Sequence, residues 1–318
     1  MINLEALPWI LLQNLVNGIT YAKRSRWITS VDQPDEIKVY PGREHLFGSR
    51  IFRPASTNNA LPLVIRIHGG GFIMNSPCTD DNAARYVADN VGCNVVSVDY
   101  SKAPRNPFPA AYEDLVALSL DIIGDSSLHV NPEQVVLWGS SAGANLALAI
   151  AQDPRLRSKI AGVLANTPVV ELITPFEAKM ASRPDPAVPD FLQTTYSNLL
   201  KFYLAGQDIS TKDVRLNPSQ FAKRENLPKH MYLTSAEHDL LSRESRLMAE
   251  DLAKGAEKQQ LDDGWQAGSV KWSLDRGVKH AYEAFPEKDP KAEAARLLAI
   301  EATRQNVVSW LKAVFKAT

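Results

Sequence analysis

The sequence predicts an α/β protein whose open, mostly parallel sheet is covered by helices on both faces. From residue 37 onward, short apolar runs, several of them unbroken and rich in β-branched residues, alternate with helical stretches. Such runs are typical of strands that are buried on both faces of a parallel sheet. A Gly-x-Ser-x-Gly turn joins one of these runs to a helix at residues 139–143. In a sheet of this kind, ligands bind at the carboxyl ends of the strands.

The elements follow in order along the chain. Strands are predicted at residues 63–67, 95–98, 135–138, 162–165, 231–234 and 270–274, and helices at 110–123, 142–152, 243–254 and 292–315. Residues 1–36 begin with an amphipathic helix that places Leu12, Leu15, Val16 and Ile19 on one face, either packed on the core or as a flap over a site. The interval 170–217 interrupts the alternation and contains an aromatic helical stretch at 191–203, which predicts a small helical insertion over the sheet.

Composition excludes several classes of protein. The 318 residues include 35 Lys and Arg against 36 Asp and Glu, so the net charge of −1 creates no field that favours nucleic acid or an anionic membrane. The apolar run at residues 9–16 is too short for a membrane span and does not resemble a signal peptide. Two cysteines without a CxxC pair predict a reducing, cytoplasmic location and no metal site.

The candidate nucleophile is Ser141, at the centre of the motif Gly139-Ser140-Ser141-Ala142-Gly143. The motif is common by itself, but its place between an apolar run and an Ala-rich helix predicts a sharp strand-to-helix turn that exposes the serine. The alternative is that Ser141 only caps the helix. Glycines are needed on either side because a Cβ would clash with the neighbouring strand.

A second motif, His68-Gly69-Gly70-Gly71-Phe72, directly follows the first buried strand. It does not fit a dinucleotide-binding fingerprint, because Met74 occupies the position of the third glycine. Consecutive glycines after a strand let backbone N–H groups turn toward a ligand, as an oxyanion hole requires. We therefore expect Gly70, Gly71 and the amide of Ala142 to be the donors, the alternative being a flexible tight turn.

A nucleophilic serine needs an imidazole as base and a carboxylate to orient that imidazole. Of the six histidines, His280 is the best candidate because it follows the last predicted strand. Asp239 follows the strand at 231–234 and is the preferred carboxylate, with Glu237 and Asp275 as weaker options. The chain order Ser, Asp, His, with separations of 98 and 41 residues, is that of α/β-hydrolases.

These motifs resemble the hormone-sensitive-lipase-like family of α/β-hydrolase carboxylesterases. Residues 68–72 match its His-Gly-Gly-Gly-Phe motif, residues 139–143 match its Gly-Asp-Ser-Ala-Gly elbow, and residues 98–111 are similar to its Asp-Tyr-Arg-Leu-Ala-Pro segment. The departures are Ser140 for Asp, Ala144 for Gly, Asn75 for Gly, and Ser101, Lys102 and Arg105 in the linking segment. Residues 259–269 lengthen the interval between acid and base, and we expect a surface loop near the site.

The resemblance implies the α/β-hydrolase fold, with an eight-stranded sheet and a helical cap. The catalytic domain would comprise residues 37–169 and 218–318, and the cap residues 1–36 and 170–217. It also implies catalytic roles for Ser141, Asp239 and His280 and an oxyanion hole at Gly70, Gly71 and Ala142. Phe72, Tyr282, Phe191 and Tyr196 are candidates for the substrate pocket, although the aromatic residues of 191–203 could equally be ordinary cap packing.

The predicted function is hydrolysis of a small to medium carboxylic ester through an acyl-enzyme, with no cofactor or metal. One alternative is a dedicated enzyme that cyclises or deacetylates one specialised metabolite or cleaves an amide in it; the chain also resembles fungal esterases of specialised metabolism. Another is a small-molecule receptor, because plant gibberellin receptors resemble the same family but lack the catalytic histidine. We expect a small-molecule ester as partner, no nucleic acid, no membrane span, and a monomer or homodimer.

Overall fold

The fold is built around one β-sheet. The computed structural model describes residues 7–8, 10–15, 18, 33–55, 60–204 and 212–318. Within these residues ten strands form one sheet, in the order β1-β2-β4-β3-β5-β6-β7-β10-β9-β8. The strands are β1 (Glu36–Lys38), β2 (Ser49–Phe52), β3 (Leu61–Ile67), β4 (Asn94–Val98), β5 (Val130–Ser140), β6 (Gly162–Asn166), β7 (His230–Ala236), β8 (Lys258–Leu261), β9 (Gly264–Ala267) and β10 (Val270–Asp275).

The strands from β4 through β3, β5, β6 and β7 to β10 are parallel, and the strands beyond them at both edges are antiparallel. In the register of the parallel part, Ile65 is paired with Val96 on one side and Leu137 on the other. All three side chains are fully buried. Continuous apolar strands form this part because both faces of the sheet are covered. The predicted fold class, a mostly parallel sheet flanked by helices, is confirmed.

The described sheet has two strands more than the eight that the resemblance implies. The additional strands are β8 and β9, which occupy most of the segment expected to be a surface loop. That expectation is wrong, because the segment folds into a hairpin that continues the sheet beyond β10, with Trp265 paired with Trp272. The edge strand β8 exposes the polar side chains of Lys258, Gln259 and Gln260. Polar and charged residues are common on edge strands, where they disfavour pairing with a strand of another molecule.

The described residues also form eight α-helices. They are α1 (Asp81–Val87), α2 (Ala110–Ile123), α3 (Ala142–Ile150), α4 (Phe176–Ala181), α5 (Leu192–Tyr203), α6 (Pro218–Phe221), α7 (Ser242–Leu252) and α8 (Pro290–Ala317). The long helix α8 begins with a proline at its first position, and the carboxylate of Asp289 accepts a hydrogen bond from Ala292 N at 2.8 Å. Both features favour a helix start at that point.

Alternate residues of the strands pack on opposite faces of the sheet. Leu63 and Ile65 of β3 belong to the larger hydrophobic cluster, which also contains the Ala-rich helix α3. Val64, between them, belongs to the second cluster with Trp310 and Leu311 of α8. The strand period of two therefore places α3 and α8 on different sides of the sheet.

The N-terminal residues 7–8, 10–15 and 18 are helical, but the face predicted to be buried is wrong. Leu12 and Leu15 are exposed, whereas Ile10 and Gln13 are buried. The side-chain amide of Gln13 donates a hydrogen bond to the carbonyl of Ile73, just beyond the glycine turn. A polar side chain can occupy the inner face because it finds a backbone acceptor there. Val16 and Ile19 lie outside the described residues.

The interval that interrupts the alternation contains α4 and α5. Helix α5 lies over the glycine turn, because a Cβ on Gly71 would meet the side chain of Leu199 at 2.6 Å. The ring of Tyr203 stacks on that of Phe72, with 3.8 Å between centroids. These contacts place the helical insertion at the carboxyl end of β3, against the glycine turn.

Candidate active site

Ser141 stands in the sharp turn between β5 and α3. Its backbone has φ +52° and ψ −119°, a conformation that strains a residue with a side chain. The turn fits because its flanking residues are glycines: a Cβ on Gly139 would lie 2.2 Å from the carbonyl oxygen of Gly143, and one on Gly143 would lie 2.3 Å from that of Ile67. The N–H of Ser141 donates to Asn166 O at 2.9 Å, which ties the turn to the end of β6.

The structure brings Ser141 together with the predicted base and acid. Asp239 follows β7 and His280 follows β10, and these strands are parallel neighbours. Ser141 Oγ lies 2.9 Å from His280 Nε2, and His280 Nδ1 lies 2.7 Å from Asp239 Oδ2. Because a carboxylate only accepts, Nδ1 carries the proton and donates a hydrogen bond to Asp239, and Nε2 accepts a hydrogen bond from the serine hydroxyl. The three side chains thus form one continuous chain of hydrogen bonds.

The two weaker candidates for the acid have other partners. Glu237 Oε2 accepts from the backbone N–H of Gly277 at 2.7 Å. Asp275 accepts from the hydroxyls of Tyr282 and Thr303, each at 3.0 Å. Both carboxylates therefore support the loop that leads to His280, and Asp239 is the carboxylate that contacts its ring.

The imidazole of His280 is buried, with 6% of its surface exposed. Burial disfavours the charged imidazolium, but the charge and the hydrogen bond of Asp239 outweigh burial, and the carboxylates of Asp190 and Glu244 add to them. The pKa of His280 is consequently raised above its ordinary value.

The glycine turn places backbone donors beside Ser141. Gly70 has φ +124° and Gly71 has φ +61°, and a Cβ on Gly69 would lie 3.4 Å from that of Ser141. Among the described residues, no protein acceptor pairs with the N–H groups of Gly70, Gly71 or Ala142. The amides expected to form an oxyanion hole are thus available for a ligand.

The conformation of Asn75 explains how the turn tolerates the loss of a glycine there. Asn75 has φ +75°, in the left-handed region that asparagine adopts more readily than most residues. Its side-chain amide donates to Gly69 O at 3.4 Å. The substitution therefore keeps the path of the loop.

The linking segment fixes the start of the glycine turn. His68 Nε2 lies 3.2 Å from Asp99 Oδ1, its ring stacks on Tyr100 at 4.4 Å, and the Tyr100 hydroxyl donates to His68 O at 3.1 Å. Lys102, where the family usually has leucine, donates to the carboxylate of Asp99 and to Tyr100 O. Burial alone would raise the pKa of Asp99, but Lys102 and His68 lower it to about 2.

Ser140, where the family usually has aspartate, has a partner that the sequence interpretation missed. Arg66 of β3 donates to Ser140 Oγ at 2.7 Å, and its guanidinium lies 4.1 Å from the ring centroid of Trp138. On its other side it forms an ion pair with Asp80 at 3.3 Å. The sequence signal for this partner is an arginine inside an otherwise apolar strand, because a charged side chain is buried only when it is paired.

Two of the predicted pocket residues are buried in packing contacts of the helical insertion. Phe72 is buried against Tyr203 of α5. Tyr196 is also buried, stacks on Phe176 of α4 with 6.1 Å between centroids, and has the ammonium of Lys179 5.6 Å from its own centroid. Both rings therefore contribute to the contact surfaces of α4 and α5.

The other two predicted pocket residues differ from each other. Phe191 is 41% exposed and its ring faces that of Phe285, with 5.9 Å between centroids. Tyr282 packs with Val278 in a small cluster at α8, and its hydroxyl is hydrogen-bonded to Asp275 and Thr303. That Tyr282 lines the substrate pocket stays a prediction; its hydroxyl is held by these two partners on the side of α8.

Within the described ranges, no group of three or more His, Cys, Asp or Glu side chains is arranged to hold a metal ion. No helix in the part of the chain that the structure describes is long and apolar enough to cross a bilayer.

A mostly parallel sheet with Ser, Asp and His after the strands β5, β7 and β10 defines an α/β-hydrolase. The sequence pattern of the alpha/beta hydrolase fold family matches residues 64–265, more than half of the chain. The protein belongs to this family, and the resemblance to its carboxylesterases is confirmed.

Named relatives and solved structures agree with this assignment. The chain is 28% identical to carboxylesterase NlhH of Mycobacterium tuberculosis over 261 residues, which is 77% of this chain and 74% of that protein. It is 32% identical to versiconal hemiacetal acetate esterase of Aspergillus parasiticus over 46% of this chain and 43% of the relative. An esterase structure from Pyrobaculum calidifontis superimposes with a TM-score of 0.73 at 23% identity, covering 98% of this chain and 95% of that one.

Some relatives are matched over a smaller part of their length. The chain covers 36% of an AB hydrolase superfamily protein of Schizosaccharomyces pombe and 15% of a protein named FAD-linked oxidoreductase pytB of Aspergillus terreus. The match to the latter is 39% identical over 122 residues.

Proposed function

We propose that the protein is a serine hydrolase that cleaves a carboxylic ester through an acyl-enzyme. The observation that carries the proposal is the hydrogen-bonded chain from Ser141 through His280 to Asp239, next to a glycine turn with unpaired backbone donors. The names of the relatives, carboxylesterase and acetyl esterase, support the same chemistry.

The geometry supplies each step of the reaction. His280 Nε2 takes the proton of Ser141 as Oγ attacks the ester carbonyl carbon, and the amides of Gly70, Gly71 and Ala142 receive the negative charge on the oxygen. The tetrahedral intermediate then collapses, the alcohol leaves with the proton from His280, and the acyl group stays on Ser141. A water activated by His280 attacks this acyl-enzyme and releases the acid.

We propose a small to medium, moderately apolar ester as substrate. Two contacts support this class: Phe72 of the glycine turn stacks on Tyr203 of the insertion, and Phe191 of the insertion faces Phe285 beyond His280. Tyr196 and Tyr282 are the other proposed pocket residues. A dedicated deacetylase of one metabolite is the second candidate, and its support is the similarity to an acetate esterase of Aspergillus parasiticus.

We also propose that residues 1–36 and 170–217 form a cap on a catalytic domain of residues 37–169 and 218–318. The contacts of Leu199 and Tyr203 with the glycine turn support this division. A cytoplasmic, reducing location is supported by Cys78 and Cys93, which are buried and not bridged to each other. We expect a monomer or homodimer, to be measured by light scattering, and fractionation of the native cells tests the location.

The decisive experiment measures hydrolysis of p-nitrophenyl acetate and butyrate by the wild type and by Ser141→Ala. We expect kcat to fall by at least about 10⁴-fold, because the remaining groups cannot replace the nucleophile. Ser126→Ala, at an exposed serine of a surface turn, is the matched control and should retain full activity. Undiminished turnover by Ser141→Ala would refute the proposal.

A fluorophosphonate probe separates the alternatives. Labelling of Ser141 without activity on simple esters would favour the dedicated enzyme, and mass spectrometry of products from a panel of acylated metabolites would then identify its substrate. Absence of labelling in a folded wild type would favour a receptor that binds without hydrolysis.

A further inference from the structure

Two buried charged residues of the insertion contact the loop that carries Asp239. Arg183 follows α4 and Asp190 precedes α5, and they are 6% and 4% exposed. Charged side chains are rarely buried to this degree without specific partners. Each residue has one partner in the acid loop and one within the insertion, which for Arg183 is the carbonyl of Val188.

The contacts flank Asp239 on both sides. Arg183 Nε donates to the carbonyl of His238 at 3.3 Å, and Asp190 Oδ2 accepts from the N–H of Leu240 at 2.7 Å. The other oxygen of Asp190 accepts from Leu192 N at 2.9 Å, at the start of α5. One side chain of the insertion therefore holds the residue before the acid, and another holds the residue after it.

The remaining contacts of the acid loop belong to the catalytic domain itself. His238 N donates to Val278 O at 3.0 Å, and Asp239 Oδ1 accepts from Leu241 N at 2.9 Å. The peptide N–H of Leu240 is held by Asp190. A buried peptide group of this kind needs a partner to keep its orientation.

We propose that Asp190 and Arg183 are positioning residues of the insertion that orient Asp239, so that the catalytic chain is aligned only while the insertion is docked. The proposal rests on the proposed function, since it assigns a role in the alignment of Ser141, His280 and Asp239. Neither residue reacts with substrate; both act through the backbone of the acid loop.

Asp190 has a second, electrostatic effect that can be measured. The carboxylates that act on His280 are Asp239 from the acid loop, Asp190 from the insertion and Glu244 from α7, the last of which is paired with Lys179. Removal of the Asp190 charge lowers the pKa of His280, so the acidic limb of the pH profile must move to lower pH. A purely structural role would leave this limb in place.

The test compares Asp190→Asn with Asp185→Asn. Asp185 is exposed, belongs to the same segment, and its carboxylate accepts only a local bond from Ala187 N at 2.8 Å among the described residues. Asparagine retains the shape of Asp190 but offers one acceptor oxygen for two N–H groups. We expect Asp190→Asn to lower kcat about tenfold with KM nearly unchanged, which is the loss of about one hydrogen bond to a charged group.

The rates are normalised to sites labelled by the fluorophosphonate, so that unfolded protein does not count. Support requires both the lower kcat and the shifted acidic limb in Asp190→Asn, with neither change in Asp185→Asn. Normal kcat per labelled site and an unmoved limb would overturn the inference, whatever the melting temperature. If Asp190→Asn does not fold, Arg183→Met decides: a tenfold lower kcat per labelled site supports the proposal and an unchanged one overturns it.

Failure of the proposed function looks different. A folded wild type without Ser141-dependent labelling or turnover overturns the proposed function and this inference together. If the wild type is labelled normally but Asp190→Asn has the same kcat per labelled site and the same acidic limb as Asp185→Asn, only the positioning role is overturned.

Discussion

Replacing Gly70 with alanine tests whether the glycine turn forms an oxyanion hole. The added Cβ would lie 2.2 Å from the carbonyl oxygen of Met74, against an ordinary contact of 3.4 Å or more. The clash is with backbone, so the turn itself must move by about 1.2 Å, and φ +124° further disfavours any side chain. A misplacement of about 1 Å costs on the order of 10² in rate, and loss of one oxyanion donor about 10² to 10³.

We therefore expect Gly70→Ala to lower kcat by about 10² to 10³ on p-nitrophenyl butyrate, although alanine retains the N–H donor. The matched control is Gly42→Ala, at φ +73° with nothing within 4 Å of the new Cβ. Its free energy of unfolding should fall by about 1 to 2 kcal/mol, because alanine is disfavoured in the left-handed conformation, and its activity should be unchanged. If folded Gly70→Ala turns over as fast as Gly42→Ala, the assignment of the turn is refuted.

Three further predictions concern titration and buried charge. The raised pKa of His280 places the acidic limb of kcat/KM above the pKa of about 6.5 of a free imidazole, because His280 must be neutral to act as base; a limb at or below that pH would contradict the assignment. Arg66→Met leaves Asp80 and Ser140 without their partner, so urea unfolding should show a loss of about 3 kcal/mol, and an unchanged midpoint would be inconsistent with the ion pair. Burial raises the pKa of Asp275 to about 7, so the folded protein holds a proton that the unfolded chain releases near pH 4, and stability falls as pH rises between these values. Asp275→Asn should remove part of that slope, at most about 1.4 kcal/mol per pH unit, and equal slopes in the two proteins would contradict it.

The parallel strands and their helices could be predicted because their signals are local. Helix α2 begins and ends where the apolar period predicts, and the six predicted strands lie within β3, β4, β5, β6, β7 and β10. The nucleophile turn was also predictable, since Gly139 and Gly143 are required by close backbone approach and leave a recognisable spacing.

Features that depend on a distant partner could not be predicted. The inner position of Gln13 depends on the carbonyl of Ile73, and the orientation of Tyr282 depends on Thr303 of α8. The sequence predicts a loop where β8 and β9 form a hairpin, because β8 is polar and exposed and shows no strand alternation. For Gln13 and Tyr282 the decisive partner lies far away in sequence, where periodicity carries no information. The hairpin pairs with its neighbours in sequence, but the polar residues of β8 leave no apolar pattern to detect.

Two of the departures from the family pattern, Ser140 and Lys102, belong to networks with a buried ion pair. Both Arg66 and Lys102 place a buried cation beside the glycine turn, and each is matched by an aspartate, Asp80 and Asp99. Removing one member of a buried pair costs several kcal/mol, whereas replacing both can cost little. The two members of each pair must therefore change together. Ser140 depends on the same arginine: an aspartate at position 140 would bring a second carboxylate to the guanidinium of Arg66, which is already paired with Asp80. The elbow is thus supported by a charge on β3, where the family usually supplies one from the elbow itself.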